Sequence, residues 1–311
     1  MTAFREGGRL VVVVPDHLTA RQRRDLVPGL VARFLAKEAR NRPPRADEVD
    51  SVRVAVIGRP NVGKSSLVNR MLGDQRVIVS DVAGTTRDAI DTEVEIDGRH
   101  ITLVDTAGLR RKSKVAGSVD HYAQLRSERA IERADVALIV CDAQEGLRSE
   151  DLKVGEVAMK AGCATMIVMN KWDITETDID DTRARVARKM RLRPEVVTAS
   201  ALSGRNAAGL LSRAVVLADR AARKVPTPAL NRFIADVVTK NPPPSKRGRR
   251  LKLLYAAQIQ VSPPRFSIQV NDKRLIAREW AYYVENQLRE TYGFDGVPLI
   301  IDYMPRKRDR D

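Results

Sequence analysis

Gly58-Arg59-Pro60-Asn61-Val62-Gly63-Lys64-Ser65 is the stretch that decides the fold. It satisfies G-x-x-x-x-G-K-[ST] in full, and its flanks are what that motif requires. A β-branched run, Arg53-Val54-Ala55-Val56-Ile57, precedes it, and Ser66-Leu67-Val68-Asn69-Arg70-Met71-Leu72 follows with a helical pattern. A strand, a glycine-rich loop and a helix in that order cradle phosphates, because loop amides and the helix N-terminus then face the negative charge. Gly58, Val62, Gly63 and Ser66 are expected to line the cradle. Lys64 is expected to reach the β- and γ-phosphates, and the Ser65 hydroxyl to hold Mg²⁺.

Three further segments lie downstream. Asp105-Thr106-Ala107-Gly108 ends the apolar run Ile101-Thr102-Leu103-Val104, where a carboxylate can hold Mg²⁺ directly or through water. Gly108 is placed to sense the γ-phosphate through its amide. Asn170-Lys171-Trp172-Asp173 follows the run Thr165-Met166-Ile167-Val168-Met169. The Asp173 carboxylate matches the paired donors of guanine and would be left unpaired against adenine, a mismatch that discriminates strongly. Asn170 is expected on the N7/O6 side, Lys171 to pack its stem along the loop, and Ser200-Ala201-Leu202 to complete the site through the Ala201 amide. Between the first and third motifs, Ala83-Gly84-Thr85-Thr86-Arg87-Asp88 reads as a switch loop. Thr86, with Thr85 as the alternative, would reach Mg²⁺ only while the γ-phosphate is present.

These segments, with Asp105-Thr106-Ala107-Gly108-Leu109-Arg110-Arg111-Lys112, resemble the second GTPase domain of the Der (EngA) bacterial ribosome-assembly GTPases. The likeness continues into that family's C-terminal KH-like domain. Asn241-Pro242-Pro243-Pro244, Gly248-Arg249-Arg250-Leu251-Lys252, Pro263-Pro264-Arg265-Phe266, Val270-Asn271-Asp272 and Gly293-Phe294-Asp295-Gly296 carry it, and it spans about residues 52–304. It implies a GTP-hydrolysing switch acting in large-subunit biogenesis, binding ribosomal RNA or the subunit and cycling between GTP and GDP. It also implies that Asn61 helps hold K⁺, which would bring positive charge to the phosphates; the plain alternative is a loop hydrogen bond. Leu109 stands where related enzymes carry a water-orienting Gln, so turnover by the chain alone is expected to be slow. Lys64, Asn61, Thr86 and Gly108 are thus the expected catalytic set. An RNA-binding module with little or no GTPase activity stands as the alternative, and a switch acting on protein as a third reading.

Composition fits these expectations. The chain has 311 residues, two cysteines and a formal net charge of +15. Cys141 and Cys163 fall in apolar runs and read as core residues, and the three histidines lack ligand spacing. No apolar stretch is long enough to span a bilayer and no signal core opens the chain, so a cytoplasmic protein without a membrane partner is expected. Residues 221–311 hold 18 basic against 9 acidic side chains, whereas 51–220 hold 27 against 24. That excess favours RNA over a merely solvated face, with Lys246, Arg247, Arg249, Arg250 and Lys252 as the candidate contacts and no DNA expected.

The expected architecture is α/β, a doubly wound and mostly parallel sheet followed by a small α+β domain. Strands are expected near 52–57, 92–97, 100–104, 136–141, 165–169 and 196–199, giving a GTPase domain over 51–223. Lys224-Val225-Pro226-Thr227-Pro228 reads as the link to a KH-like domain over 224–311 that ends in a basic tail. Helix 229–240, strands 251–260 and 265–270, helix 277–291 and strand 297–303 give an αββαβ order. A working KH clamp holds its G-x-x-G between two helices. Gly293-Phe294-Asp295-Gly296 instead follows a helix and precedes a strand, so it reads as a helix stop. Residues 1–50 do not match the family, whose first GTPase domain is not present upstream. They read as a strand over 9–15, a helix over roughly 19–40 and a polar link over 41–50, with no assigned role.

Overall fold

The structure, a computed structural model, describes residues 2–6, 9–13, 19, 51–73, 78–80, 91–106, 128–245 and 248–305. Near the start, β1 (Thr2–Glu6) and β2 (Arg9–Val13) form an antiparallel pair. The strand expected over 9–15 is therefore one half of a hairpin whose other half was not anticipated. The helix expected over 19–40 and the link over 41–50 lie outside the described residues, save Thr19.

A seven-stranded sheet dominates the rest. Its strands are β3 (Ser51–Ile57), β4 (Ile78–Ser80), β5 (Thr92–Ile96), β6 (Arg99–Val104), β7 (Val136–Asp142), β8 (Ala164–Asn170) and β9 (Glu195–Thr198). Their spatial order is β4-β5-β6-β3-β7-β8-β9, parallel from β6 to β9 and antiparallel at the β4-β5-β6 edge. β7 and β8 are buried along their whole length, as strands covered by helices on both faces must be.

The alternating side chains of β7 divide the core. Val136, Leu138 and Val140 meet Leu67, Val68 and Met71 of α1 (Lys64–Leu72) and Leu210, Leu211 and Ala214 of α4 (Gly209–Ala221). Ala137, Ile139 and Cys141 face the other way, toward α2 (Ser149–Lys160) and α3 (Ile179–Lys189). Each large aliphatic side chain buried this way contributes about 1.5–3 kcal/mol. The outcome is a doubly wound, mostly parallel α/β sheet, as the motif order implied.

The last part of the chain runs α5 (Thr227–Lys240), β10 (Leu253–Gln260), β11 (Arg265–Val270), α6 (Arg278–Tyr292) and β12 (Ile300–Pro305). Its sheet order is β10-β11-β12, with β10 antiparallel and β12 parallel to β11. The αββαβ order matches expectation, but the last strand starts three residues late. The Val297 carbonyl is taken by the Arg289 guanidinium at 2.6 Å instead of a ladder partner, and Pro298 has no N–H to donate. Val225 of the link is buried, and its amide donates to Gln258 Oε1 at 2.7 Å. Leu217 and Ala221 of the first sheet's helix share one apolar cluster with Phe233, Phe266, Val284 and Phe294. The link is therefore a packed joint rather than a free tether.

Candidate functional site

The carboxyl ends of β3, β6, β7 and β8 bring the motifs together. After β3 the backbone turns through Gly58 at φ 144° and Asn61 at φ 63°, then Gly63 at φ 91°. A Cβ on Gly58 would lie 2.2 Å from the Val140 carbonyl oxygen, and one on Gly63 would lie 2.3 Å from Asn170 Nδ2. Both glycines are thus required by close approach as well as by conformation. Lys64, the first residue of α1, donates from Nζ to the carbonyls of Gly58 at 2.9 Å and Arg59 at 2.6 Å. Burial lowers its ammonium pKa to about 8. Ser65 and Ser66 are exposed on the first turn of α1, and Val62 is buried beneath the loop.

Asn170, at the end of β8, is 1% exposed and serves as a bridge. Its Nδ2 donates to the Val62 carbonyl at 2.9 Å, and its Oδ1 accepts from the Ala201 amide at 3.1 Å. The phosphate loop and the Ser200-Ala201-Leu202 loop are therefore joined through one side chain, each bond's loss leaving a buried polar group at a cost of about 1–3 kcal/mol. The Ala201 amide, expected to face the base, is here engaged by Asn170. Ser200 is fully buried, and its Oγ accepts from the Ser203 amide at 3.0 Å, while Leu202 is 79% exposed. Asp173 lies exposed on the short 3-10 turn Trp172–Ile174, so its burial would have to come from the base itself. Lys171 sits in the left-handed region at φ 62°, and its Nζ pairs with Asp142 Oδ2 at 2.5 Å.

At the end of β6, Asp105 has φ 58° and its amide donates to Asp91 Oδ1 at 3.0 Å. Thr86, Thr85 and Gly108 lie outside the described residues. Among the described residues no cluster of three or more His, Cys, Asp or Glu could hold a metal. A hydroxyl and a carboxylate at the phosphate end, Ser65 and Asp105, nevertheless fit Mg²⁺, which takes few protein ligands when phosphate oxygens and water supply the rest.

Sequence reasoning missed the residues that brace these loops. Arg59 Nε donates to Asp151 Oδ1 at 2.8 Å and its Nη2 pairs with Glu145 Oε2 at 2.8 Å. Burial works against that guanidinium's charge, but the two carboxylates outweigh it and hold the pKa above its usual value. Asp151 also caps α2, accepting from the Arg148 amide at 2.9 Å. Arg70, on α1, donates to the Ala201 carbonyl at 3.1 Å and also to that of Leu202. Only Asp142, a carboxylate at the end of an apolar run, offered a local signal.

Residues 53–171 match the family model described as 50S ribosome-binding GTPase, and residues 224–303 match the KH-domain-like C-terminal domain of EngA bacterial GTPase enzymes. The chain is 44% identical over 271 residues to GTPase Der of Heliobacterium modesticaldum, covering 85% of this chain and 61% of that one. It is 42% identical over 294 residues to GTPase Der of Pelotomaculum thermopropionicum, covering 92% and 65%. The chain thus spans about three-fifths of the length of the curated relatives it matches. Among solved structures, Era in complex with MgGDPNP and nucleotides 1506–1542 of 16S ribosomal RNA is 21% identical, with a TM-score of 0.42 over 84% of this chain and 95% of that one.

Proposed function

We infer the function from one premise: the nucleotide-binding and KH-like domains of this chain belong to the Der (EngA) GTPases. The chain hydrolyses GTP to GDP and phosphate as a cytoplasmic switch in assembly of the large ribosomal subunit, with a GTPase domain over 51–223 and a KH-like domain over 224–311. The Asn170 bridge is the observation that carries this reading, because it ties the phosphate loop to the base loop as a guanine nucleotide site needs.

In the proposed site the backbone N–H groups of Asn61–Ser66 and the Lys64 ammonium hold the phosphates. Lys64 exchanges two loop carbonyls for phosphate oxygens, so no new desolvation is required of it. Ser65, Asp105 and Thr86 hold Mg²⁺, which when bound neutralises phosphate charge. Asn61 would hold K⁺, bringing positive charge to the phosphates, and the Gly108 amide would sense the γ-phosphate. Asp173 selects guanine, while Asn170, Lys171 and Ser200–Leu202 keep the base loop in place.

The test is GTP turnover by the purified chain in KCl against NaCl at matched ionic strength, with and without large ribosomal subunits. Turnover that needs K⁺ and rises with large subunits supports the reading. GTP binding without turnover in every condition rejects the enzyme. Equal rates in the two salts reject the Asn61 role alone.

A further inference from the structure

The KH-like domain offers two candidate places for RNA, and the structure removes one of them. The Gly293-Phe294-Asp295-Gly296 turn is buried against the GTPase domain. The Gly296 amide donates to the Leu192 carbonyl at 2.8 Å, and its own carbonyl accepts from the Thr165 amide at 2.7 Å. Arg220 Nη1 donates to the Asp295 carbonyl at 2.7 Å, and Arg289, itself fully buried, donates to the carbonyls of Phe294 and Val297 at 2.6 Å each. A phosphate cannot reach amides that already close such a joint.

The second place is built for outward charge. Asn271, just after β11, fixes the basic loop: its Nδ2 donates to the Arg250 carbonyl at 3.0 Å and its Oδ1 accepts from the Lys252 amide at 2.9 Å. Asp272 fixes the next turn, accepting from the Arg274 amide at 3.0 Å and from its guanidinium at 3.0 and 2.8 Å, with Arg249 at 3.6 Å. The hydrogen bond from Arg274 pulls the Asp272 pKa to about 2, so this carboxylate stays ionised. Leu251 and Leu275 are buried and anchor the two segments in the core. Arg249, Arg250, Lys252, Lys273 and Arg274 are all exposed. Two anchored segments thus present five exposed cations, of which Arg249 and Arg274 flank the Asp272 carboxylate.

We propose that this double loop, 249–252 with 273–274, is the face on which the chain holds the phosphate backbone of RNA, and that Lys273 and Arg274 act there beside Arg249, Arg250 and Lys252. The inference deepens the RNA-binding reading above and rests on it. Leu251 and Leu275 turn inward, and the side chains that 249–252 and 273–274 leave outward are cations, which suits phosphates.

The test is binding of the full-length chain to purified large-subunit ribosomal RNA and to a labelled mixed-sequence single strand across a KCl series. Each lost phosphate contact lowers the slope of log affinity against log salt by about 0.7–0.9, so R249A/R250A/K252A/K273A/R274A should flatten it by about 3.5–4.5. At fixed moderate salt its affinity should fall by at least about tenfold, with GTP affinity unchanged. Should that variant fold poorly, K273E at a single exposed position should still lower both affinity and slope. Wild-type slopes in these variants would overturn the surface while leaving RNA binding intact. No RNA binding by the wild type would remove the RNA reading itself. The same variants are also assayed on intact large subunits, where RNA binding kept but subunit binding lost would assign the face to a ribosomal protein and overturn the proposal.

Discussion

Strand β8 has two ends that have been put to opposite uses. At its carboxyl end the chain holds left-handed backbone at Lys171, beside Asn61 and Asp105, and leaves Asp173 and Ser65 toward solvent. Non-glycine residues in that region each cost of order 1 kcal/mol or more, a strain found where backbone is shaped for a ligand. At its amino end the Thr165 amide meets Gly296, and the nearby cation Arg289 is fully enclosed, with Nη1 on the Phe294 and Val297 carbonyls and Nη2 on Glu285 Oε1. One end keeps polar groups available and the other satisfies them within the protein. Changes at the first should alter binding and chemistry with little effect on folding, and changes at the second the reverse.

The largest effect should come from Lys64→Ala. Losing a preorganised cation at the transferring phosphate is expected to lower turnover by about 10³-fold, with thermal unfolding nearly unchanged. Turnover within a few-fold of wild type would break the assignment of the phosphate site. Asp173→Asn comes next. Replacing a carboxylate matched to two guanine donors should weaken GTP by about 10- to 100-fold and narrow its preference over ATP, read by competition with labelled GDP.

At the opposite end, Gly296→Ala would place a Cβ 2.8 Å from the Thr165 carbonyl oxygen on backbone at φ 77°. A loss of about 1–3 kcal/mol in denaturant unfolding is expected, with GDP affinity retained. Loss of nucleotide affinity at constant stability would show that the two ends of β8 are not independent.

The smallest effect is in pH. Burial lowers the Lys64 pKa to about 8 in the free protein, and bound phosphates would raise it. GDP affinity should therefore be flat below pH 8 and fall above it by at most about tenfold per pH unit. Lys64→Ala should abolish that slope, and an unchanged slope would place the titrating group elsewhere.

Much of the fold was legible because it is local. Val54–Ile57, Ile101–Val104 and Thr165–Met169 are largely apolar runs that end in motif residues, so strand positions and loop identities follow together. β4 is three residues long and sits on the antiparallel edge, too short for a periodic signal. The basic loop was found by its charge, whereas Lys273 and Arg274 were not, because only Asn271 and Asp272 bring them beside it. The G-x-x-G turn was readable as a helix stop but not as a joint, since its partners Leu192 and Thr165 are about a hundred or more positions earlier in the chain.

The sequence by itself determined the order of the motifs, the strand–loop–helix cradle and the αββαβ order of the last domain. These depend on residue type and short spacing, which backbone propensity and side-chain chemistry translate directly. Tertiary structure alone decided that Asn170 ties two loops, that Arg59 is braced by Asp151 ninety-two positions away, and that Arg70 holds a loop 131 positions away. It also decided that Arg289 is buried at a domain joint. The physical reason is that a polar side chain chooses its partner only after the sheet has formed. Burial then makes any unpaired donor costly, so the partner is whichever acceptor the fold brings within reach.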